Sequence, residues 1–231
     1  EWAQEDTLMD RIWLKSYPAG MPAEIDADQF ASVADLLEKL FGKFADKPAF
    51  HNLGCTLSYA DLERLSRDFA AFLQALPGMG KGERVAIMSP NLLQYPVALF
   101  GILRAGMTVV NVNPLYSPRE LQHQLKDSGA RVIVILENFA KTLEEVLPRT
   151  KVRTIVTTQI GDMLGFPKQA IVNLVVRHVR KQVPGFDLPN AVRFNTVLRS
   201  GRYEQLDEVN LTHEDIAFLQ YTGGTTGVSK G

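Results

Sequence analysis

The sequence predicts an α/β fold in which a parallel-rich sheet is covered by helices on both faces. Three short runs of apolar residues, at positions 85–88, 108–112 and 132–136, have the composition of buried strands. Helical patterns at residues 92–104 and after residue 117 separate these runs. Strands that are apolar throughout, and not only at alternate positions, are typical of a parallel sheet that is buried on both sides.

The first part of the chain predicts two helices separated by a short extended segment. Apolar residues spaced by three and four positions begin at Val33 and stop before Lys47-Pro48, which predicts the first helix. A strand at residues 49–51 and a turn at residues 52–54 follow it. The two helices are expected to form a helical layer or to lie on one face of the sheet.

Two helices carry strong start signals. Ser58 stands three positions before Asp61, and Ser117 stands three positions before Glu120 with Pro118 directly after the serine. A serine hydroxyl at the cap accepts a hydrogen bond from the N–H group of the third helical residue, and an acidic side chain there reaches back to the cap. Helices are therefore expected to begin at these two serines.

Glycine and proline mark the ends of the next elements. A helix is predicted at about residues 92–104, in which Pro96 is tolerated if it falls in the first turn, and Gly106 is the stop of that helix. Gly129 closes the following helix. The alternation continues with a helical pattern at residues 142–147 and an apolar run at residues 154–157.

Residues 167–183 predict a basic amphipathic helix. Such a helix can lie on an anionic membrane surface, or it can be a surface helix that packs on its own domain. The second interpretation is preferred, because amphipathic helices usually face a core. Residues 184–210 are expected to be rich in loops, and a capping turn is expected at residues 212–215. The basic side of the helix carries Arg177, Arg180 and Lys181, and the apolar arc carries Ile171, Val172, Leu174, Val175, Val176, Val179 and Val183.

Composition excludes several classes of protein. The chain has 231 residues, of which 45% are hydrophobic, and its formal net charge of −1 does not suit a dedicated nucleic-acid binder. Cys55 is the only cysteine, so no intrachain disulfide can form and a cytoplasmic location is expected. Pro96 and Arg104 interrupt the apolar region at residues 92–112, which therefore does not predict a membrane span. Four acidic residues within positions 1–10 argue against a signal peptide.

Other reactive side chains give no candidate site. Cys55 has no recognisable activating partner, and no Gly-x-Ser-x-Gly motif indicates a serine hydrolase. No metal site is expected from the four histidines, because none has Cys, Asp or Glu at ligand spacing. They are His51, His123, His178 and His213.

The segment at residues 219–231 has the composition of a loop that wraps a polyphosphate. Its glycines let backbone N–H groups approach phosphate oxygens closely, its threonine hydroxyls add donors, and its lysine adds a positive charge. The candidate phosphate-binding residues are Tyr221, Thr222, Gly223, Gly224, Thr225, Thr226, Gly227 and Lys230. The pattern is not the P-loop of NTPases, which needs Gly-Lys-Ser/Thr, because Lys230 comes three residues after Gly227 and is followed by glycine.

Residues 219–230 instead resemble, position by position, the ATP-phosphate loop of the adenylate-forming superfamily, with Ser229 where that loop usually has proline. A second resemblance covers residues 90–106 and 113–116, which are similar to bacterial long-chain fatty acyl-CoA synthetases. Residues 9–231 are thus identified as similar to the N-terminal part of the large domain of the adenylate-forming fold, and residues 1–8 are set aside as an addition.

The resemblance implies a two-step ligation. A fatty carboxylate attacks the α-phosphate of ATP, which gives an acyl-adenylate and pyrophosphate, and the thiol of CoA then displaces AMP. ATP and CoA are the implied cosubstrates and Mg²⁺ the implied metal, with Thr222 at the family position that helps to hold it. The expected partners are fatty acid, ATP and CoA, with peripheral contact to the cytoplasmic face of the inner membrane and a homodimer as further candidates and no nucleic acid.

The same resemblance places the family's adenine-, ribose- and acyl-binding segments and its carboxy-terminal domain beyond Gly231. The 231-residue chain is therefore expected to contain no catalytic residue and to be inactive alone. Two other hypotheses stay open at this point. One is an aryl- or short-chain acyl-CoA ligase, which would use the same loop, and the other is a non-enzymatic module that binds nucleotide or membrane.

Overall fold

The computed structural model describes residues 11–222 and divides the chain into two units, Glu1–Phe30 and Ala31–Gly231. In the first unit, two short 3-10 helices span Ile12–Ser16 and Ala27–Gln29, and Arg11 forms an ion pair with Glu24. The second unit contains all the strands and α-helices among the described residues. Residues 1–8, interpreted from the sequence as an addition, lie outside the described part of the chain.

A six-stranded parallel sheet forms the centre of the second unit. The strands of the unit are β1 (Pro48–Asn52), β2 (Cys55–Ser58), β3 (Arg84–Met88), β4 (Thr108–Asn111), β5 (Val132–Leu136), β6 (Thr154–Thr158), β7 (Ala191–Arg193) and β8 (Phe218–Gln220). Strands β1 and β2 pair as an antiparallel hairpin. The other six follow the order β7-β6-β5-β3-β4-β8, and every neighbouring pair is parallel.

Helices cover both faces of this sheet, which confirms the predicted fold class. They are α1 (Val33–Phe44), α2 (Tyr59–Ala75), α3 (Gln94–Arg104), α4 (Pro118–Ser128), α5 (Ala140–Val146), α6 (Lys168–Leu174), which a π-helical turn at Val175–Val179 continues, and α7 (Phe194–Gly201). Helices α3 and α7 pack on the strands of one face, with α2 across them and α1 on α2 and α3. Helices α4 and α5 cover the other face. The two amino-terminal helices therefore form a helical layer.

The capping signals in the sequence fix where these helices begin and end. Ser58 and Asp61 form a complete capping box at the start of α2, and Ser117 and Glu120 form another at the start of α4. Gly129 closes α4 with a φ of +66°, a left-handed conformation that glycine adopts without steric cost. Helix α3 begins at Gln94 and not at residue 92, so Pro96 lies in its first turn as predicted.

Several elements were not predicted, among them β2, β7 and α7. Strand β2 follows a two-residue turn in which Leu53 and Gly54 both have positive φ, so the expected turn is the tip of a hairpin. The region at residues 184–210 is not only loop, because β7 and α7 lie within it. No side chain caps the start of α7, so the usual start signal is missing from the sequence. Its period of buried residues, at Phe194, Val197 and Leu198, could have revealed it.

The predicted amphipathic helix is shorter than its pattern and its apolar arc is divided. Helix α6 and its π-helical turn end at Val179, four residues before Val183. Val172 packs against the core of the domain, whereas Ile171 and Leu174 are exposed. Within residues 11–222, no helix is both long and apolar enough to span a bilayer.

Candidate functional site

Strand β8 delivers the candidate phosphate loop to the carboxyl edge of the sheet. It pairs in parallel with β4, and Gln220 at its end lies beside Asn111 at the end of β4. Tyr221 and Thr222 follow directly and are the part of the candidate loop that the structure describes. The other candidate residues lie outside the described residues, namely Gly223, Gly224, Thr225, Thr226, Gly227 and Lys230.

The loop leaves the sheet beside a topological switch point. Helix α3, which follows β3, lies on one face, whereas α4 and α5, which follow the neighbouring strands β4 and β5, lie on the other. Chain segments that leave adjacent parallel strands toward opposite faces open a crevice at the carboxyl ends of those strands. In open α/β sheets this crevice is the usual place for a ligand.

A cleft of about 570 Å³ occupies this position. It lies at the carboxyl ends of β3, β4 and β8, and polar side chains make up much of its wall. Its lining residues are Ile87, Ser89, Asn91, Tyr95, Asn111, Val112, Asn113, Pro114, Tyr116, Glu120, Gln220 and Tyr221. The first described residue of the candidate loop is thus part of the wall of the cleft.

A chain of hydrogen bonds links α3, β4 and β8 across this cleft. The Tyr95 hydroxyl donates to Asn111 Oδ1 at 2.9 Å, and Asn111 Nδ2 donates to Gln220 Oε1 at 2.9 Å. On the far side, Gln124 Nε2 of α4 donates to the backbone oxygen of Asn111 at 2.7 Å. Burial raises the pKa of Tyr95, so its hydroxyl keeps its proton and remains a donor at neutral pH.

Tyr221 anchors the end of β8 immediately before the glycine-rich segment. The residue is 8% exposed, and its hydroxyl donates to Asp127 Oδ2 of α4 at 2.5 Å. Burial, together with the hydrogen bond to Asp127 and the negative charge of that carboxylate, raises the pKa of Tyr221. The neutral phenol therefore acts as a fixed donor, and this contact ties the start of the candidate loop to the helix on one face of the sheet.

Among the described residues that line the cleft, Glu120 is the one with an acidic side chain. Its Oε2 atom accepts hydrogen bonds from both the hydroxyl and the N–H group of Ser117, at 2.6 and 2.8 Å. These two bonds lower the pKa of Glu120. The carboxylate is thus engaged in capping α4, and its place in the cleft is explained by that structural role.

The predicted Mg²⁺ role of Thr222 stays a prediction. Thr222 is exposed at the carboxyl edge, where its hydroxyl can face a ligand. Within residues 11–222, no three His, Cys, Asp or Glu side chains lie close enough together to hold a metal ion. A magnesium ion at this edge would suit a shared site, with Thr222 as one oxygen ligand and phosphate oxygens as others.

Sequence reasoning found the loop but missed Tyr95, Asn111 and Gln220 as parts of the site. A usable signal exists, because polar residues closely follow two of the buried strands, with Ser89 directly after β3 and Asn113 two positions after the end of β4. The carboxyl ends of parallel strands meet at one edge, so such residues converge there. Cys55, directly after the predicted turn at residues 52–54, lies on β2. Its thiol donates to the backbone oxygen of Leu164 at 3.2 Å.

A parallel sheet with a polar cleft at its switch point, and a glycine-rich segment directly after the adjoining strand, define a nucleotide-binding α/β domain. The sequence profile of the AMP-binding enzyme family matches residues 37–231. The chain therefore belongs to the AMP-binding enzyme family.

Similar proteins agree with this assignment. A long-chain-fatty-acid–CoA ligase from Yersinia pestis is 55% identical over 223 residues, which are 96% of this chain and 40% of that protein. A ligase of the same name from Escherichia coli is 54% identical over the same shares. The crystal structure of a long-chain-fatty-acid–CoA ligase from Archaeoglobus fulgidus shares the fold, with a TM-score of 0.63 at 23% identity over 92% of this chain and 39% of that one. The chain thus spans about 40% of the length of the curated relatives it matches.

Proposed function

We propose that this chain supplies the ATP-phosphate loop of a long-chain fatty acid:CoA ligase, as the amino-terminal part of a longer protein. The reaction would convert a fatty acid, ATP and CoA into acyl-CoA, AMP and pyrophosphate through an acyl-adenylate. One observation carries the proposal. Strand β8 leads a segment with the phosphate-loop pattern to the polar cleft at the switch point of a parallel sheet.

The chemistry needs a better leaving group than a carboxylate oxygen. In the first step a carboxylate oxygen bonds to the α-phosphorus of ATP while the bond to the pyrophosphate oxygen breaks, so negative charge develops on the departing pyrophosphate. Lys230, the hydroxyls of Thr225 and Thr226 and the backbone N–H groups of the glycines would neutralise that charge. This is electrostatic stabilisation, and it requires no acid or base from the chain.

The described residues would hold the loop in place for this task. Tyr221, fixed to Asp127, sets where the loop begins, and the Tyr95–Asn111–Gln220 hydrogen bonds hold the ends of α3, β4 and β8 in register. Mg²⁺, when bound, would supply positive charge against the phosphates. Thr222 would contribute a hydroxyl oxygen to it.

The test of the loop is a lysine substitution in the longer protein. Lys230→Met removes the charge and keeps most of the side-chain length. We expect fatty acid-dependent ATP–pyrophosphate exchange to fall by about 10²-fold or more, as is typical when one stabilising group at a developing charge is lost. Lys151→Met, at an exposed lysine remote from the cleft lining, is the matched control and should leave the exchange rate unchanged. Equal activity of the two variants would contradict the role of the loop.

A substrate panel separates the long-chain ligase from the other ligases. The longer protein would be offered saturated fatty acids of increasing length, benzoate and acetate, each with ATP and CoA. The proposal expects the highest kcat/KM for long-chain fatty acids. A maximum at benzoate or acetate would identify an aryl- or short-chain acyl-CoA ligase instead.

We also propose a cytoplasmic location with peripheral contact to the inner membrane. The identity to ligases named for long-chain fatty acids supports it, because such substrates partition into bilayers. Fractionation of cells that express the longer protein, with and without a salt wash of the membranes, tests the location. Light scattering of the purified longer protein tests the prediction of a homodimer.

A further inference from the structure

Four exposed apolar side chains, named here the apolar strip, lie on α6, on its π-helical turn and in the segment before α6. Phe166, Ile171, Leu174 and Val179 form this apolar strip, and each of these side chains is more than half exposed. Ile171 and Leu174 are three positions apart on α6, so they lie on one side of the helix. An amphipathic surface helix normally turns such residues toward the domain, so their exposure is the reverse of the usual arrangement.

Neighbouring polar side chains fix the helix to the domain, so the strip cannot rotate inward without breaking specific contacts. Asn173 Oδ1 accepts a hydrogen bond from the Gly161 N–H group at 2.7 Å, and its Nδ2 donates to Asp162 at 3.1 Å. Arg177 pairs with the buried carboxylate of Glu137 at 3.2 Å. The basic residue that the sequence placed on the outer side of the helix is therefore its inner anchor.

The surroundings of the apolar strip are positively charged. Residues 163–186 contain two lysines and two arginines and no acidic residue, whereas the whole chain has a net charge of −1. Lys168 lies at the start of α6, and Arg180 and Lys181 follow the π-helical turn at its end. Lys168 also donates a hydrogen bond to the backbone oxygen of Leu53, which leaves its charge in place.

An arginine-rich groove borders the first turn of α6. The groove has a volume of about 500 Å³, and Gln169 of α6 is one of its lining residues. Its charged lining consists of four arginines and two aspartates, a net charge of +2, contributed by Arg64, Arg193, Arg199, Arg202, Asp68 and Asp162. Arg64 pairs with Asp61, and Asp68 pairs with Arg67. Three exposed guanidinium groups, on Arg193, Arg199 and Arg202, therefore face the groove without an acidic partner among the described ion pairs.

We propose that the apolar strip and the arginine groove form a docking surface for an anionic phospholipid bilayer. The strip would enter the boundary between headgroups and acyl chains, and the guanidinium groups would bind lipid phosphates. Charge complementarity selects this occupant, because an apolar strip beside a groove of net positive charge matches a surface that is apolar within and anionic outside. The inference gives the peripheral membrane contact a defined surface, and it does not depend on ligase activity.

The first test is vesicle flotation of two variants, each with a different exposed isoleucine changed. The chain is mixed, without nucleotide, with vesicles of phosphatidylglycerol and phosphatidylcholine, or of phosphatidylcholine alone. We expect binding to the anionic vesicles only, and we expect Ile171→Glu to weaken it about tenfold, as the loss of one inserted apolar side chain should. Ile216→Glu is the matched control, because Ile216 is 60% exposed and Ile171 is 59% exposed. It should bind as the unchanged chain does.

Two triple variants, each of which removes three positive charges, test the role of the arginines. Arg193→Gln, Arg199→Gln and Arg202→Gln together should abolish most of the binding, whereas Arg119→Gln, Lys126→Gln and Lys151→Gln together should reduce it far less. Circular dichroism melting confirms that each variant folds. Equal loss in the two triple variants would show a nonspecific effect of charge and would overturn the proposal, as would binding to neutral vesicles or no effect of Ile171→Glu.

A last experiment tests whether the docking surface is accessible in the longer protein. The same flotation assay on the longer protein should show the same dependence on Ile171. If the longer protein does not bind anionic vesicles although the 231-residue chain does, then further polypeptide covers the surface and the proposal is wrong. Because the assay contains no ATP, fatty acid or CoA, its failure is distinguishable from a failure of the proposed ligase activity.

Discussion

A single hydrogen bond, from Tyr221 to Asp127, joins the start of the candidate phosphate loop to α4. The donor is buried and the bond is short, so losing it should free the end of β8 more than losing an exposed contact would. We expect Tyr221→Phe, in the longer protein, to raise the KM for ATP several-fold with a smaller change in kcat. Asp127→Asn should produce a similar change because it weakens the same bond.

The double variant checks that the two side chains act through one another. If the bond is the cause, Tyr221→Phe and Asp127→Asn together should cost little more than either alone. Tyr203→Phe removes a hydroxyl from an exposed tyrosine and should leave the steady-state kinetics of ATP unchanged. Additive losses in the double variant would mean that Tyr221 and Asp127 act separately.

At the scale of residues, local patterns in the sequence identified the loop but not its supports. The order of glycines, threonines and a lysine within one short segment itself indicates a phosphate-binding loop. Residues 221–230 could therefore be identified from the sequence. The contact between Tyr221 and Asp127 joins residues 94 positions apart, and the contact between Asn111 and Gln220 joins residues 109 apart. Only the parallel pairing of β4 with β8 brings these groups together, and no local spacing encodes it.

Close packing between helices depends on glycines that tolerate no side chain. A methyl group on Gly201 of α7 would lie 1.8 Å from the backbone oxygen of Asp68 in α2, and one on Gly101 of α3 would lie 2.9 Å from the backbone oxygen of Ser66. We expect Gly201→Ala and Gly101→Ala to lower the free energy of unfolding by about 1–3 kcal/mol each, with the larger loss at Gly201, because backbone atoms must move. Urea denaturation of the 231-residue chain measures this.

Gly42 offers the matched control for these two substitutions. It lies inside α1, and nothing lies within 4 Å of where its side chain would be. Gly42→Ala should therefore raise the free energy of unfolding by about 0.5–1 kcal/mol, since alanine favours a helix more than glycine does. A loss of stability at Gly42 equal to that at Gly101 would show that steric contact is not the cause.

The capping box of α4 should make the stability of the domain depend on pH. The hydrogen bonds from Ser117 lower the pKa of Glu120, so folding favours the ionised form. Stability from this source is complete above the pKa of an unfolded glutamate, about 4.3, and disappears as the pH falls through the lower pKa of the folded state. Glu120→Gln should therefore be less stable than the unchanged chain at pH 7, and the difference should shrink as the pH falls through that lower pKa.

Thermal melts of the chain at a series of pH values test this expectation. Glu208→Gln, at an exposed glutamate outside the capping boxes, should show no such convergence with the unchanged chain. A difference between Glu120→Gln and the unchanged chain that stays constant from pH 7 to about pH 3 would contradict the linkage.

At the scale of elements, the sequence predicts best where an element signals its own ends. Helices α2 and α4 begin at serines that form complete capping boxes, and both were predicted with the right start. Helix α7 begins without a capping side chain, and β7 has only three residues, so neither signals its own ends. Their positions are set by burial against α2 and β6, as the contact of Phe194 with Phe69 at 5.4 Å between ring centroids illustrates.

For the whole molecule, the order of the strands places the end of β8, where the candidate loop begins, beside the cleft. Strand β3 lies at the centre of the sheet, with β4 and β8 on one side and β5, β6 and β7 on the other. Because β8 is the last strand in sequence and pairs beside β4, the segment after it meets the segments after β3 and β4 at one edge. The sequence predicted a parallel sheet but not this order, since pairing between distant strands leaves no periodic trace along the chain.

The last prediction concerns the whole chain as a catalyst. Adenylation requires the acyl carboxylate, the α-phosphate and the rest of ATP to be held in line, and such positioning accounts for much of the rate of a two-substrate reaction. This chain spans about 40% of the length of the ligases it matches. We therefore expect the purified 231-residue chain to show no fatty acid-dependent ATP–pyrophosphate exchange under conditions in which the longer protein does. A cooperative circular dichroism melt of the same preparation would show that the chain is folded, and exchange activity in it would mean that residues 1–231 contain a complete adenylation site.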